Sequence, residues 1–167
     1  KTLHLELDRM DEEYADDNDY DEATTDALDT ATRLFAEPTA DEKALLQKMK
    51  DWAKRARGQR DSKVKQLVAW LKEHLKPGGK WSNERVIIFT EYRATQNWLQ
   101  EVLSVEGFTD GDRLLTMYGG MDSDKREEVK AAFQTAPEIS PVRILLATDA
   151  ASEGLDFQNF CSRLIHY

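Results

Sequence analysis

The sequence predicts an α/β fold: a doubly wound parallel sheet with a mostly helical appendage ahead of it. Three observations carry that expectation. Short continuous apolar runs recur at residues 85–90, 113–118, 142–147 and 162–167, the pattern of strands buried on both faces. Helical patterns at 91–104 and 122–134 separate the first three runs, as the crossovers of a parallel sheet require. Small, acidic and glycine residues then fill ATDAASEGLDFQ, 147–158, after the run Val142, Ile144, Leu145 and Leu146. That is the edge where α/β proteins bind ligands.

The elements follow in order. Residues 2–8 alternate, with Leu3, Leu5 and Leu7 against His4 and Glu6, the period of a half-buried entry strand. DEEYADDNDYDE at 11–22 reads as an acidic helix or linker. Its plainer meaning is a solvated face or connector, its bolder one a mimic of DNA that covers a binding site. Pro38 and Thr39, with Glu42 at the capping-box position, open a helix over 39–57 that Gly58 ends. Leu45, Met49, Trp52, Ala53 and Ala56 share one side of it. Lys48 and Arg55 border that stripe on one flank, and Lys50, Lys54 and Arg57 on the other. These cations either lay their methylene stems along a packed face, the preferred reading, or grip phosphates.

Asp61 is placed to cap a helix whose Val64, Leu67, Val68, Leu71 and Leu75 form one stripe, and KPGGK at 76–80 stops it. In the crossover helices, Trp98, Leu99, Val102 and Leu103, and then Val129, Ala132 and Phe133, are the expected core faces. Trp52, Trp70, Trp81 and Trp98 read as core or surface packing rather than as base-stacking platforms. The chain thus divides into an appendage, 1–60, and an α/β domain, 61–167.

Composition narrows the possibilities. With 167 residues and 40% apolar content the chain can bury one main core. It begins with Lys1 and stops at Tyr167 inside an apolar strand pattern, which is expected of a piece of a larger polypeptide. The single Cys161 excludes an internal disulfide framework and a cysteine-rich zinc site, and His4, His74 and His166 lack ligand-like spacing. No apolar run approaches the ~20 residues of a membrane span, so no membrane partner is expected and the location is expected to be cytoplasmic. The net charge of −9 is concentrated in residues 1–30, where twelve carboxylates face only Lys1 and Arg9. The rest is near neutral and can carry a local basic groove.

Three segments in order, RVIIFTEYRAT at 85–95, RLLTMYGGMDSDKREEVKAAF at 113–133 and ATDAASEGLDFQ at 147–158, resemble motifs IV, IVa and V of superfamily 2 helicases. The chain resembles the second RecA-like domain of a Snf2-type helicase, and DSKVKQLVAWL at 61–71 is similar to the helix that opens that domain. Glu153 and the tail Leu155, Asp156, Phe157 and Gln158 are similar to Snf2-like rather than DEAD-box proteins. The acidic entry and the DSK segment resemble bacterial Snf2-like helicases, including those of the phage-defence system DISARM.

A motor that pulls on a nucleic-acid backbone needs neutral donors on loops, because backbone N–H groups and short hydroxyls hold phosphates without reading bases. The resemblance implies that role for Thr90, Gly119, Gly120 and Thr148. Each has a purely structural alternative: Thr90 as a helix N-cap, the glycines as turn formers, Thr148 as a strand-end hydroxyl. The resemblance also implies that Gly154 lets the backbone approach ATP and that Asp156 accepts a hydrogen bond from the ribose. Asp149 and Glu153 read as organising the loop, by local hydrogen bonds or by helix-start charge, and not as a metal pair.

Two elements are missing from the sequence. No G-x-x-x-x-G-K-[ST] occurs, since KPGGKWS at 76–82 has the wrong spacing, and no Asp-Glu pair follows a suitable strand. Both belong in a preceding RecA-like lobe, and the arginine-rich motif VI is expected beyond Tyr167. No catalytic residue and no bound cofactor are therefore expected in this piece by itself, which is expected to be inactive alone. By the same resemblance, ATP and Mg2+ are expected to serve the parent, with duplex DNA and the first lobe as its partners. A second expectation of another class is a nucleotide-independent protein-interaction module on an inert RecA-like scaffold. A third, an unrelated doubly wound enzyme, finds no Ser-His-Asp, Cys-His or G-x-G-x-x-G arrangement.

Overall fold

Four parallel strands, each short and flanked by helices, organise the computed structural model, which describes residues 17–33, 36–56, 60–151, 157 and 159–167. The expected entry strand at 2–8 and the first half of the acidic run lie outside the described residues. From Asp17 the acidic run is helical, in α1 (Asp17–Thr32).

Helix α2 (Ala40–Ala56) opens with the expected capping box. The Thr39 N–H donates to Glu42 Oε2 at 2.8 Å, and the Glu42 N–H donates to Thr39 Oγ1 at 3.3 Å. The Thr39 N–H and the Thr39 hydroxyl, which also donates to Glu42 Oε2 at 2.8 Å, hold the Glu42 carboxyl below its ordinary pKa. Its apolar stripe is another matter. None of its residues is buried, and Leu45 and Trp52 are 60% and 67% exposed. The packed face that the preferred reading of the flanking cations expects is thus not seen among the described residues, and Arg57 and Gly58 lie outside them.

Helix α3 (Ser62–Leu75) starts where Asp61 accepts a hydrogen bond from the Val64 N–H at 2.7 Å, and it buries the five residues of the expected stripe. The chain then passes through a 3₁₀ turn (Pro77–Gly79), β1 (Val86–Thr90), α4 (Arg93–Val105), β2 (Leu114–Met117), α5 (Ser123–Gln134), β3 (Ile144–Thr148) and β4 (Leu164–His166). The strand order is β2-β3-β1-β4, with every pairing parallel.

Alternation along each strand divides the core in two. Val86, Ile88, Leu114, Ile144 and Leu146 face α3 and α4. Ile87, Phe89, Met117, Leu145 and Ala147 face Phe133 of α5 together with Ala151, Phe157 and Cys161 of the β3–β4 connection. The chain leaves β1 toward one edge and returns through β3 to the other. With right-handed crossovers, that reversal moves the connections to the opposite face. Adjacent strands β1 and β3 therefore send their chains to opposite sides, which opens a crevice beyond their carboxyl ends. The sheet is the RecA-like doubly wound sheet expected.

The other edge is closed by arginines. Arg85, Arg113, Arg143 and Arg163 each stand immediately before a strand. Arg143 is buried and donates to the carbonyls of Ser82, Pro137, Ser140 and Val142 and to Asn83 Oδ1. Arg85 donates to Val142 O and Phe133 O, Arg113 to Pro141 O and Arg163 to Glu84. These carbonyls, in loops and, for Phe133, in the last turn of α5, lie outside the strands, and the planar guanidinium fork satisfies several at once. Burial, then the neighbouring Arg113 and Arg85, push the Arg143 guanidinium below its ordinary pKa.

Candidate nucleic-acid interface

Thr90 and Thr148 end β1 and β3 and are Cα partners in the ladder. Both side chains are buried, at 2% and 0% exposure. Thr90 Oγ1 donates to Tyr92 O at 3.4 Å. Helix α4 is capped by Tyr92, without a side-chain cap bond, so Thr90 is not its N-cap. Thr148 Oγ1 accepts from the Gly119 N–H at 3.3 Å, which ties the loop after β2 to the end of β3.

Gly120 stands at the third position of a turn closed by the Met121 N–H to Tyr118 O at 3.3 Å. Its φ of 74° is one that side chains rarely adopt, so the turn itself requires glycine here. Helix α5 starts just beyond, where Asp122 Oδ1 accepts from the Asp124 and Lys125 N–H groups at 3.2 Å. The structure thus gathers Thr90, Gly119, Gly120 and Thr148 at one edge of the sheet. Gly154 and Asp156 lie outside the described residues.

One buried side chain joins these loops, and the sequence reading passed over it. Gln96, on the inner face of α4, is 0% exposed. Its Nε2 donates to Met117 O at 2.8 Å and to Leu146 O at 2.7 Å, while its Oε1 accepts from Arg93. An unpartnered amide at this depth would cost about 1–3 kcal/mol. The only sequence signal was an amide in the stripe of Leu99, Val102 and Leu103. The Arg93 guanidinium also lies 3.6 Å from the Tyr118 ring centroid, placing a cation beside the glycine turn.

A cleft of about 350 Å³ opens alongside, lined by Phe89, Glu91, Tyr92, Thr95, Asp149, His166 and Tyr167. It lies at the crevice between β1 and β3 and extends to β4. Its two carboxylates, Glu91 and Asp149, are unfavourable to an anion, whereas Arg93 puts positive charge on the side of the glycine turn. Trp70, Trp81 and Trp98 pack against the core, with Trp70 stacked on His74 at 4.3 Å and Trp81 edge-on to Phe108 at 5.9 Å. Among the described residues no three His, Cys, Asp or Glu side chains converge as a metal site, and no helix is long and apolar enough to cross a membrane.

Comparison with known proteins agrees with this geometry. Residues 63–167 match the helicase conserved C-terminal domain. The chain is 34% identical over 107 residues to an uncharacterized ATP-dependent helicase, YqhH, of Bacillus subtilis (strain 168), covering 64% of this chain and 16% of that protein. It is 32% identical over 92 residues to the ATP-dependent RNA helicase DBP3 of Cryptococcus neoformans, covering 54% of this chain and 14% of that protein. The match therefore spans about a sixth of the length of these relatives. With the ends of β1, β2 and β3 meeting at one edge of a parallel sheet, the chain belongs to the helicase conserved C-terminal domain family, the second RecA-like lobe of a superfamily 2 helicase.

Proposed function

We propose that this domain is the second lobe of an ATP-driven, Snf2-like DNA translocase or helicase of the cytoplasm, and that Thr90, Gly119, Gly120 and Thr148 form its grip on the phosphate backbone. In this reading residues 61–167 are the lobe and 1–60 its link to the first lobe. One observation carries it: three loops far apart in sequence meet at one edge, through the Thr90 and Thr148 pairing and the Gly119 to Thr148 hydrogen bond. Because both hydroxyls are turned inward, they fix the loops, and backbone N–H groups together with Arg93 face the phosphates.

ATP with Mg2+ would supply the free energy of each step, bound mainly by the first lobe. Gly154 and Asp156 are the residues of this chain assigned to the nucleotide. What this chain contributes is a firm surface that shifts along the backbone as the two lobes close and reopen. The Snf2-like assignment rests on Glu153 and the Leu155 to Gln158 tail, and the DISARM-type one on the acidic entry and the DSK segment. A relative named as an RNA helicase makes RNA the competing substrate.

The test is ATP hydrolysis by the longer polypeptide with duplex DNA, single-stranded DNA or RNA, with and without Asp156→Ala. Stimulation by duplex DNA that the substitution abolishes is expected; preference for RNA would overturn the DNA assignment, and no stimulation the motor itself. The exposed apolar stripe of α2 favours a second reading, a nucleotide-independent protein-interaction module. That module would keep its partner after Thr148→Ala and Asp156→Ala, whereas in a motor the same changes uncouple hydrolysis from nucleic acid.

A further inference from the structure

Gln96 is a polar residue in an apolar position. Leu99 and Leu103 share its stripe on α4 and belong to the buried core, so an aliphatic side chain is the default at 96. An amide persists at such a depth only when its donors and acceptor are all satisfied. Its two donors go to two different strands, Met117 O at the end of β2 and Leu146 O near the end of β3. Its acceptor takes the bond from Arg93, which begins α4 three residues after Thr90 and covers the ring of Tyr118. One side chain therefore fixes the loops after β1, β2 and β3 relative to one another. A leucine would serve packing as well, but would make none of these ties.

We propose that Gln96 is a positioning residue: it holds the three loops at a fixed spacing, so that they meet successive phosphates as one rigid surface. Groups already in place lose less freedom on binding, and the grip is tighter for it. The inference rests on the motor reading above. It predicts an effect on nucleic-acid affinity that exceeds any effect on the saturated rate.

The experiment titrates ATP hydrolysis of the full-length protein with duplex DNA, single-stranded DNA and single-stranded RNA, for the wild type and for Gln96→Met. Methionine keeps the length and volume and removes the donors and the acceptor. The nucleic-acid concentration for half-maximal stimulation is expected to rise about tenfold, while the saturated rate falls less than about twofold. Hydrogen exchange at residues 118–120 should quicken in parallel. An unchanged half-maximal concentration, or a loss confined to the saturated rate, overturns the proposal.

Should Gln96→Met unfold at the assay temperature, Gln96→Glu is titrated across pH instead. Its carboxylate offers the two carbonyls no donor and its protonated form offers one, so the grip must weaken as pH rises through that titration. A grip equal to wild type at every pH overturns the idea. If the wild type responds to none of the three nucleic acids, the motor reading fails by itself. Hydrogen exchange then decides the tie, and unchanged exchange at 118–120 in the variant overturns it too.

Discussion

At the scale of single residues, the two ends of the sheet use polar groups for different ends. At the amino edge Arg143 has five named acceptors fixed by one planar fork. A lysine keeps the charge but cannot span them, so Arg143→Lys should lower unfolding free energy by about 2–4 kcal/mol, read from the denaturant midpoint at unchanged slope. At the carboxyl edge the Tyr167 hydroxyl is buried without a hydrogen-bond partner, and burial, then the Asp61 charge, push its pKa up to about 12. A raised folded pKa gives stability that is complete below the ordinary phenol value of about 10 and is lost as pH rises through the folded one. Tyr167→Phe should therefore be as stable as the wild type or up to about 1 kcal/mol more so at neutral pH, and its melting temperature should fall less between about pH 10 and 12. Identical alkaline limbs for the two proteins would contradict this assignment.

At the scale of elements, helices α2 and α3 have similar stripes in sequence and opposite fates. The stripe of α3 is buried against the sheet, whereas that of α2 is exposed. Leu71→Ala should cost about 2–5 kcal/mol, while Leu45→Asp should change the stability of this chain by no more than about 0.5 kcal/mol; thermal melts of the two variants make the comparison, and a large loss from the second would mean that α2 packs within the chain after all. Periodicity made both helices and both caps legible, because it depends on local geometry. It could not say what each face meets, because that depends on the rest of the fold. The central strands β1 and β3 were legible through their apolar runs and are buried on both faces as expected. The edge strands β2 and β4 are only partly covered, which corrects the expectation that all four are buried on both faces. The first residues of the strands were not legible, because Arg113 and Arg143 precede the ladder and bond to loops. Gln96 escaped notice for a related reason: pattern reading scores an amide in a stripe as a flaw, and only the positions of Met117 O and Leu146 O turn it into a link.

At the scale of the whole molecule, the order β2-β3-β1-β4 sets the crevice between β1 and β3; the sequence placed the ligand edge at the strand ends, but the strand order that locates the crevice depends on long-range pairing that no local pattern encodes. The register was not legible either, since apolar runs of five residues can slide past one another without altering their burial; it is fixed here by Thr90 opposite Thr148 and Val86 opposite Ile144. In the proposed motor, the site so placed is one wall of the machine. Phosphoryl transfer needs the β and γ phosphates cradled, a metal held and an arginine at the transition state, and an arginine of that kind alone contributes ~10³ to 10⁵ in rate. The sequence has no G-x-x-x-x-G-K-[ST] loop, and no described residues converge on a metal. Residues 1–167 alone should consequently show no ATP hydrolysis above buffer, with or without DNA, when assayed after removal of contaminating ATPases. The same preparation should still bind DNA weakly and in a salt-dependent way through its Arg93 edge. Hydrolysis that copurifies with the folded chain and disappears with Asp156→Ala would mean that this lobe carries catalytic groups of its own, and the division of labour between two lobes would have to be abandoned.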